Sequence, residues 1–466
     1  MSTTGELPAG AEESAVRTGE RSEGRRPGAK EPEGSRAEGE RPEGERPDEQ
    51  RAGEPPEKRV TWAELYFDLI FVFAITQVSG LLHHHHDPLG IVQALVVFVP
   101  VYWCWVGTTV QANIRDVDTP RDRLGILAVG FTGLVMALAV PGAYGNRGVL
   151  LGAGYWAARV VLLLLLARIP GVWRGPYGVG VLVSGPLLVA GGLLPEGPRV
   201  CLWALAALCD LSGPVVFRRK LAAVAYHPAH MPERFALFLL VALGESIVGI
   251  GASAAAVRLD AAELVAVAAA FTISAGLWWQ YFVFAADAMR HAVTVADSRR
   301  DMVRRVFQYG HLALAAAVIA VAVGFGETVA DPRRALGAAS VGLLYGGCGL
   351  YLLTFGYTRW MMFRSVATTR IVAAAVVLAL APAMVRWPAL ASLVTLAVVL
   401  VVLNVVEHRR VNAAAAAADP AGEGVWGTTP GTAGGTRPEA APGTTPDAVG
   451  EPSGEAAGAP VVGGPV

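Results

Sequence analysis

Acidic side chains stand inside segments that are otherwise apolar. In "ELYFDLIFVFAITQV" Glu64 and Asp68 lie four residues apart, one helical turn, and so share a helix face. A second apolar run, "ERFALFLLVALGESIV", carries Arg234 near its start and Glu245 eleven residues on. At ~1.5 Å of rise per residue Glu245 sits about 16 Å deeper than Arg234, near mid-bilayer. No charged neighbour lies within several turns of it on its own helix, so its partner must come from another span or from a solute. His311 falls six residues past Arg305, about as deep as Asp68. Arg159 and Asp210 stand nine and eight residues from Arg168 and Arg218, at matching depth, and are expected to form a structural ion pair. Ionisable groups in hydrocarbon are costly and point by default to proton, ion or substrate handling.

Each group also has a plainer reading. Glu64 suits the first turn of a helix, where the macrodipole favours an acid. Arg234 serves as a topology anchor or as a clamp on Glu64 or Glu233, and His311 as a hydrogen-bonded packing residue. The run "HHHHD" at 83–87 reads as a polar external loop, because four consecutive residues cannot all face one ion; no metal site is assigned. Gly342xxxGly346 suits close helix packing. Cys104, Cys201, Cys209 and Cys348 all fall in apolar runs and read as packing thiols.

The elements that position these groups follow from hydropathy. Of 466 residues 53% are apolar, a composition of polytopic membrane proteins. Residues 1–57 hold fifteen acids to nine bases and residues 412–466 six to one, so the tails carry −11 of a total of −1 and the body 58–411 about +10. Both tails are poor in large apolar residues and are expected to be disordered. Between them lie twelve apolar runs, at about 63–82, 89–110, 123–143, 148–168, 177–195, 199–217, 234–256, 262–287, 305–330, 335–357, 369–386 and 388–407. With both termini in the cytoplasm, 21 Lys and Arg residues fall inside and six outside, the sense that the positive-inside rule demands. The expectation is an all-α bundle of about twelve membrane spans.

The order of the spans hides a repeat. Setting Glu64 against Glu233 brings Tyr66 onto Phe235 and Val72 onto Val241, and the next span of each set carries tryptophans, "YWCW" and "LWWQ". Six spans per half give a parallel repeat, 58–220 and 230–411, about an axis along the membrane normal.

Three segments carry a family likeness: Glu64-Leu65-Tyr66-Phe67-Asp68-Leu69, Glu233-Arg234-Phe235 followed by Leu243-Gly244-Glu245, and "YGHLALAAAVIAVAVGFGE" at 309–327. In these the chain resembles the low temperature requirement A family of bacterial membrane proteins, over roughly 58–410. The resemblance implies an integral membrane protein associated with growth in the cold. It names no reaction.

Absences narrow the function. The chain has three lysines, Lys30, Lys58 and Lys220, and none completes a Walker A loop; HExxH, GxSxG and CxxC are missing as well. No cofactor is assigned, and the architecture excludes soluble nucleic-acid binding. The leading reading is a secondary transporter or proton/cation-conducting protein that uses Glu64, Asp68, Glu245, His311 and Arg234, with the bilayer and a small ion or solute as partners. The alternatives are a membrane-embedded enzyme acting on a lipid or isoprenoid, with Glu64, Asp68 and His311 as acid–base groups, and a membrane sensor or scaffold. Solute and oligomeric state stay open.

Overall fold

The computed structural model describes residues 60–115, 117, 119–221, 227–295 and 299–418. Twelve apolar helical segments follow one another. They are α1 (Trp62–His84), α2 (Pro88–Ile114), α3 (Pro120–Ala139), α4 (Gly148–Leu165), α5 (Pro176–Gly192), α6 (Glu196–Val216), α7 (His230–Ala255), α8 (Ala261–Phe282), α9 (Val303–Ala330), α10 (Ala338–Phe363), α11 (Thr368–Met384) and α12 (Ala389–Ala418). Among the described residues the nearest thing to a strand is an isolated bridge between Ala335 and Pro388. The helix α12 runs seven residues past the boundary drawn at 411; the rest of both tails lies outside the described residues.

Local chemistry sets many of the starts. Thr61 and Glu64 form a capping box on α1, and Asp260 and Glu263 form one on α8. Asp87 caps α2 and Thr119 caps α3, each followed by a proline at the first helical position, where its missing N–H costs nothing. The helix α1 extends to His84, so two of the four histidines read as loop belong to its last turn.

Ten of the twelve segments are long and apolar enough to span a bilayer; α5 and α11 are shorter. Side-chain register shows that these two cross as well. Near the start of α1 and α7 Glu64 meets Arg234, and about three turns on Thr76 meets Glu245, so the two helices run parallel. Parallel running requires an even number of crossings from the start of α1 to the start of α7, which α1 to α6 supply only with α5 included. Likewise Thr369 and Arg370, at the start of α11, meet Glu407 late in α12, so α11 and α12 run antiparallel. The shortest helices therefore hold the fifth place in each set of six. The helix α5 is wound as a π-helix over Gly180–Ser184, and α11 carries Pro382.

Packing order recurs in the same way. The helix α1 packs on α2 and α3, α3 on α4, α4 on α5, α5 on α6, and α6 returns to α2. In the second six α7 packs on α8 and α9, α9 on α10, α10 on α11, α11 on α12, and α12 returns to α8. The seam between the two sets is formed by α1 against α7 and α9.

Candidate functional site

Four ionisable side chains meet at the start of the α1–α7 seam, all buried. Arg234 Nη1 donates to Asp68 Oδ2 at 2.6 Å and to the Glu64 carbonyl at 3.2 Å, and its Nε lies 3.3 Å from Glu64 Oε2. Asp68 takes a second hydrogen bond on Oδ1, from the Trp105 indole N–H at 2.8 Å. The Arg234 guanidinium sits 5.6 Å from the Trp105 ring, within cation–π range. Glu64 serves two neighbours. Its Oε1 closes the α1 cap, accepting from Thr61 N at 3.2 Å and Thr61 Oγ1 at 3.0 Å, while Oε2 faces His230 Nε2 at 3.0 Å.

The tautomer of His230 follows from its other neighbour. Asn113 Oδ1 accepts from the His227 backbone N–H at 3.0 Å, which fixes the amide so that Nδ2 points at His230 Nδ1, 3.3 Å away. An amide NH₂ only donates, so the assigned role of Nδ1 is that of acceptor, while Nε2 is the nitrogen on the Glu64 side, near Oε2 without a hydrogen bond between them. The two carboxylates share one guanidinium. Arg234 Nη2 has no hydrogen-bond partner among the described residues.

Glu245 lies three turns further along the same seam, in a different setting. It is buried, and Thr76 Oγ1 donates to its Oε2 at 2.6 Å. No ion pair reaches it among the described residues. Thr76 stands twelve residues past Glu64, as Glu245 stands twelve past Glu233, so matched positions of α1 and α7 touch across the seam.

Residues 59–405 match the bacterial low temperature requirement A protein (LtrA) family. The chain belongs to that family. It is also similar to an uncharacterized protein of Rhizobium meliloti (strain 1021), with 29% identity over 324 residues that cover 66% of this chain and 77% of the relative. No solved structure matches the chain. The match includes every residue of the α1–α7 seam, and the helix bundle makes the chain a multi-pass protein of the bilayer.

The other expected site residues of this LtrA chain are placed differently. His311 is buried against Phe235, Phe307 and Tyr281; its Nε2 pairs with the Tyr281 hydroxyl at 2.8 Å and its Nδ1 with the Val306 carbonyl at 3.2 Å. Both ring nitrogens are thus occupied by protein, and His311 touches none of the four cluster side chains directly; the ring of Phe235 lies between it and Trp105. The direct Arg159–Asp210 pair does not form. Asp210 instead accepts from Tyr155 and, at 2.8 Å, from Ser184, while Arg159 donates to the Pro176 carbonyl at 3.0 Å and lies near the rings of Tyr155 and Tyr177. In the histidine run His86 Nε2 is 3.6 Å from Glu327 Oε1. Among the described residues no three metal-ligating side chains converge. Of the cysteines, Cys104 and Cys348 are buried, Cys209 is half-buried and Cys201 is exposed, so the packing reading fails at Cys201.

Two partners went unread in the sequence, His230 and Trp105. The seventh apolar run starts at 234 by hydropathy, but the helix begins at His230, one turn earlier, which puts His230 on the face of Arg234. That i, i+4 spacing was the available signal. Trp105 was legible as a buried aromatic, and its single N–H donor demands an acceptor.

Proposed function

We propose that this protein is a secondary transporter or conductor for a proton or small cation, working along the α1–α7 seam. The observation that carries the reading is a charge imbalance: three buried carboxylates line the seam, Glu64 and Asp68 on the one guanidinium of Arg234 and Glu245 three turns away on the Thr76 hydroxyl. Such an excess is what a proton or cation compensates. Two further features fit. The two shortest helices, one with a π-wound stretch and one with a proline, occupy matching fifth places in the two sets of six, and short segments in corresponding places of two halves are a feature of repeat transporters. The recurring packing order favours repeats over 58–220 and 230–411. We also place both termini in the cytoplasm, on the 21-to-6 distribution of Lys and Arg.

In this reading the acid–arginine cluster closes one end of the pathway, and Glu245 is the relay at mid-depth. Flux in proteoliposomes, followed with a pH dye and with labelled cations, tests it. Glu245→Gln keeps the Thr76 hydrogen bond and removes the titrating group, so flux is expected to fall at least tenfold with folding intact. Undiminished flux in folded Glu245→Gln, or no flux in the parent, overturns the reading. Reporter fusions after residues 86, 197 and 332 are expected to read as external and one after 410 as internal.

A further inference from the structure

A groove runs between α11 and α12, opens to the lipid side of the bundle and has two chemically distinct ends. Its deeper part, about 400 Å³, is lined by Val372, Ala373 and Val376 of α11 and Val398, Val402 and Val406 of α12. Its mouth, about 280 Å³, is lined by Arg359, Arg370, Glu407 and Arg410, and the two parts share Thr368, Thr369 and Arg410.

The charges at the mouth do not cancel. Arg370 and Glu407 neutralise each other through contacts of 2.9 to 3.1 Å, and Thr369 also donates to Glu407. Arg410 makes no hydrogen bond or ion pair among the described residues, and Arg359 spends one nitrogen on Ser365 at 3.2 Å. Two guanidiniums therefore face the mouth uncompensated. The start of α11 adds backbone N–H groups there, because its cap residue, Ala367, has no side chain to satisfy them.

Length supplies the second half of the case. From Thr368 to Val376 the furrow follows α11 for about 12 Å, and from Arg410 back to Val398 it follows α12 for about 18 Å. Half of a ~30 Å hydrocarbon core is about 15 Å, so the furrow is one leaflet deep, with its arginines at the headgroup level. A free anion would use the mouth and leave the furrow empty; a neutral lipid would use the furrow and leave the arginines without partners.

We propose that this groove binds one anionic phospholipid, its phosphate held by Arg410 and Arg359 and one acyl chain laid along the valines. The site lies in the leaflet on the face where α1 begins. It stands independently of the transport reading, since none of its residues belongs to the α1–α7 seam.

The test uses the full chain, delipidated in detergent and titrated with phosphatidylglycerol or with phosphatidylcholine of the same acyl chains. Native mass spectrometry reads the bound lipid and thermal unfolding reads stabilisation. Phosphatidylglycerol is expected to be retained more tightly by the parent, and the double variant Arg359→Gln/Arg410→Gln to lose about thirtyfold, the scale set by two arginines at an anionic surface. Val402→Trp, at a position more than half exposed, fills the furrow without touching the core and is expected to weaken both lipids while sparing the fold. Equal retention of the two lipids, an unchanged preference in the double arginine variant, or equal stabilisation by glycerol phosphate without chains would each overturn the proposal.

Discussion

Each set of six helices buries an arginine and a carboxylate among its fourth, fifth and sixth members, and the two sets use them differently. In the second, Arg370 of α11 grips Glu407 of α12 through two nitrogens, the forked geometry that makes arginine–carboxylate pairs strong. In the first, Arg159 of α4 and Asp210 of α6 make no direct contact: hydroxyls hold the carboxylate, the Pro176 carbonyl takes one guanidinium nitrogen, and Arg159 Nε has no hydrogen-bond partner among the described residues. The cause is local. The π-wound turns of α5 bring Ser184 to Asp210, and Tyr155, one turn before Arg159 on α4, supplies the second donor. Glycine at 180 makes room for the guanidinium, since a Cβ there would stand 2.1 Å from Arg159 Nε. A closed pair is a mechanical tie between two helices. A split pair leaves a carboxylate held by hydroxyls, a setting akin to that of Glu245 on Thr76.

The largest expected effect comes from opening the closed pair. Arg370→Met leaves Glu407 in its largely buried place with only the Thr369 hydroxyl, and is expected to cost about 3–5 kcal/mol of stability. Replacing both partners, as Arg370→Met/Glu407→Leu, removes the orphaned charge and is expected to recover most of that loss. Thermal or denaturant unfolding in detergent measures both. A single variant as stable as the parent would mean that the tie is ornamental and that the two sets do not differ in the way described.

The split cluster is expected to respond weakly to the matching change. Asp210→Asn keeps an oxygen for Tyr155 and an amide for Ser184, so its cost is expected to stay within about 1 kcal/mol. A loss equal to that of Arg370→Met would show Arg159 and Asp210 acting as a true ion pair across the gap and would erase the contrast.

Hydropathy made the fold legible but read the sites only in part. All twelve segments follow from apolar length and the alternation of basic loops, including α5 and α11, whose length alone does not mark them as spanning. What hydropathy cannot see is a change of helical winding, and the partners of Asp210 depend on one. Nor does it fix the first turn of a helix: starting α7 at 234 hid His230, although Arg234 was legible as a topology anchor or a clamp on Glu64 or Glu233. Glu407 went unread for a similar reason. It lies in the last turns of a valine-rich helix, where an acid passes for a solvated end, and only the antiparallel register of α11 and α12 gives it Arg370.

The smallest effect belongs to the same residue types outside the membrane. Ahead of α8, Asp260 accepts from Arg333 Nη2 at 2.6 Å, and Arg333 Nη1 reaches Glu263 at 3.0 Å. The Arg333 hydrogen bond holds the Asp260 carboxyl below its usual range. Its folded-state value is thus lower than its unfolded one, so the pair stabilises the protein above about pH 4 and that contribution is lost as pH falls through the folded value. Because Asp260 is exposed, water and salt screen the attraction, and the gain is far below that of the buried pair. Asp260→Asn removes the charge while keeping a good helix cap. The melting-temperature gap between parent and variant is expected to be small and flat from pH 5 to 8, to close on acidification below about pH 4, and to shrink in high salt. A gap that persists undiminished to pH 3 would locate the difference in the cap and not in the charge. A gap as wide as that of Arg370→Met would show that burial is not what separates the strong pair from the weak one.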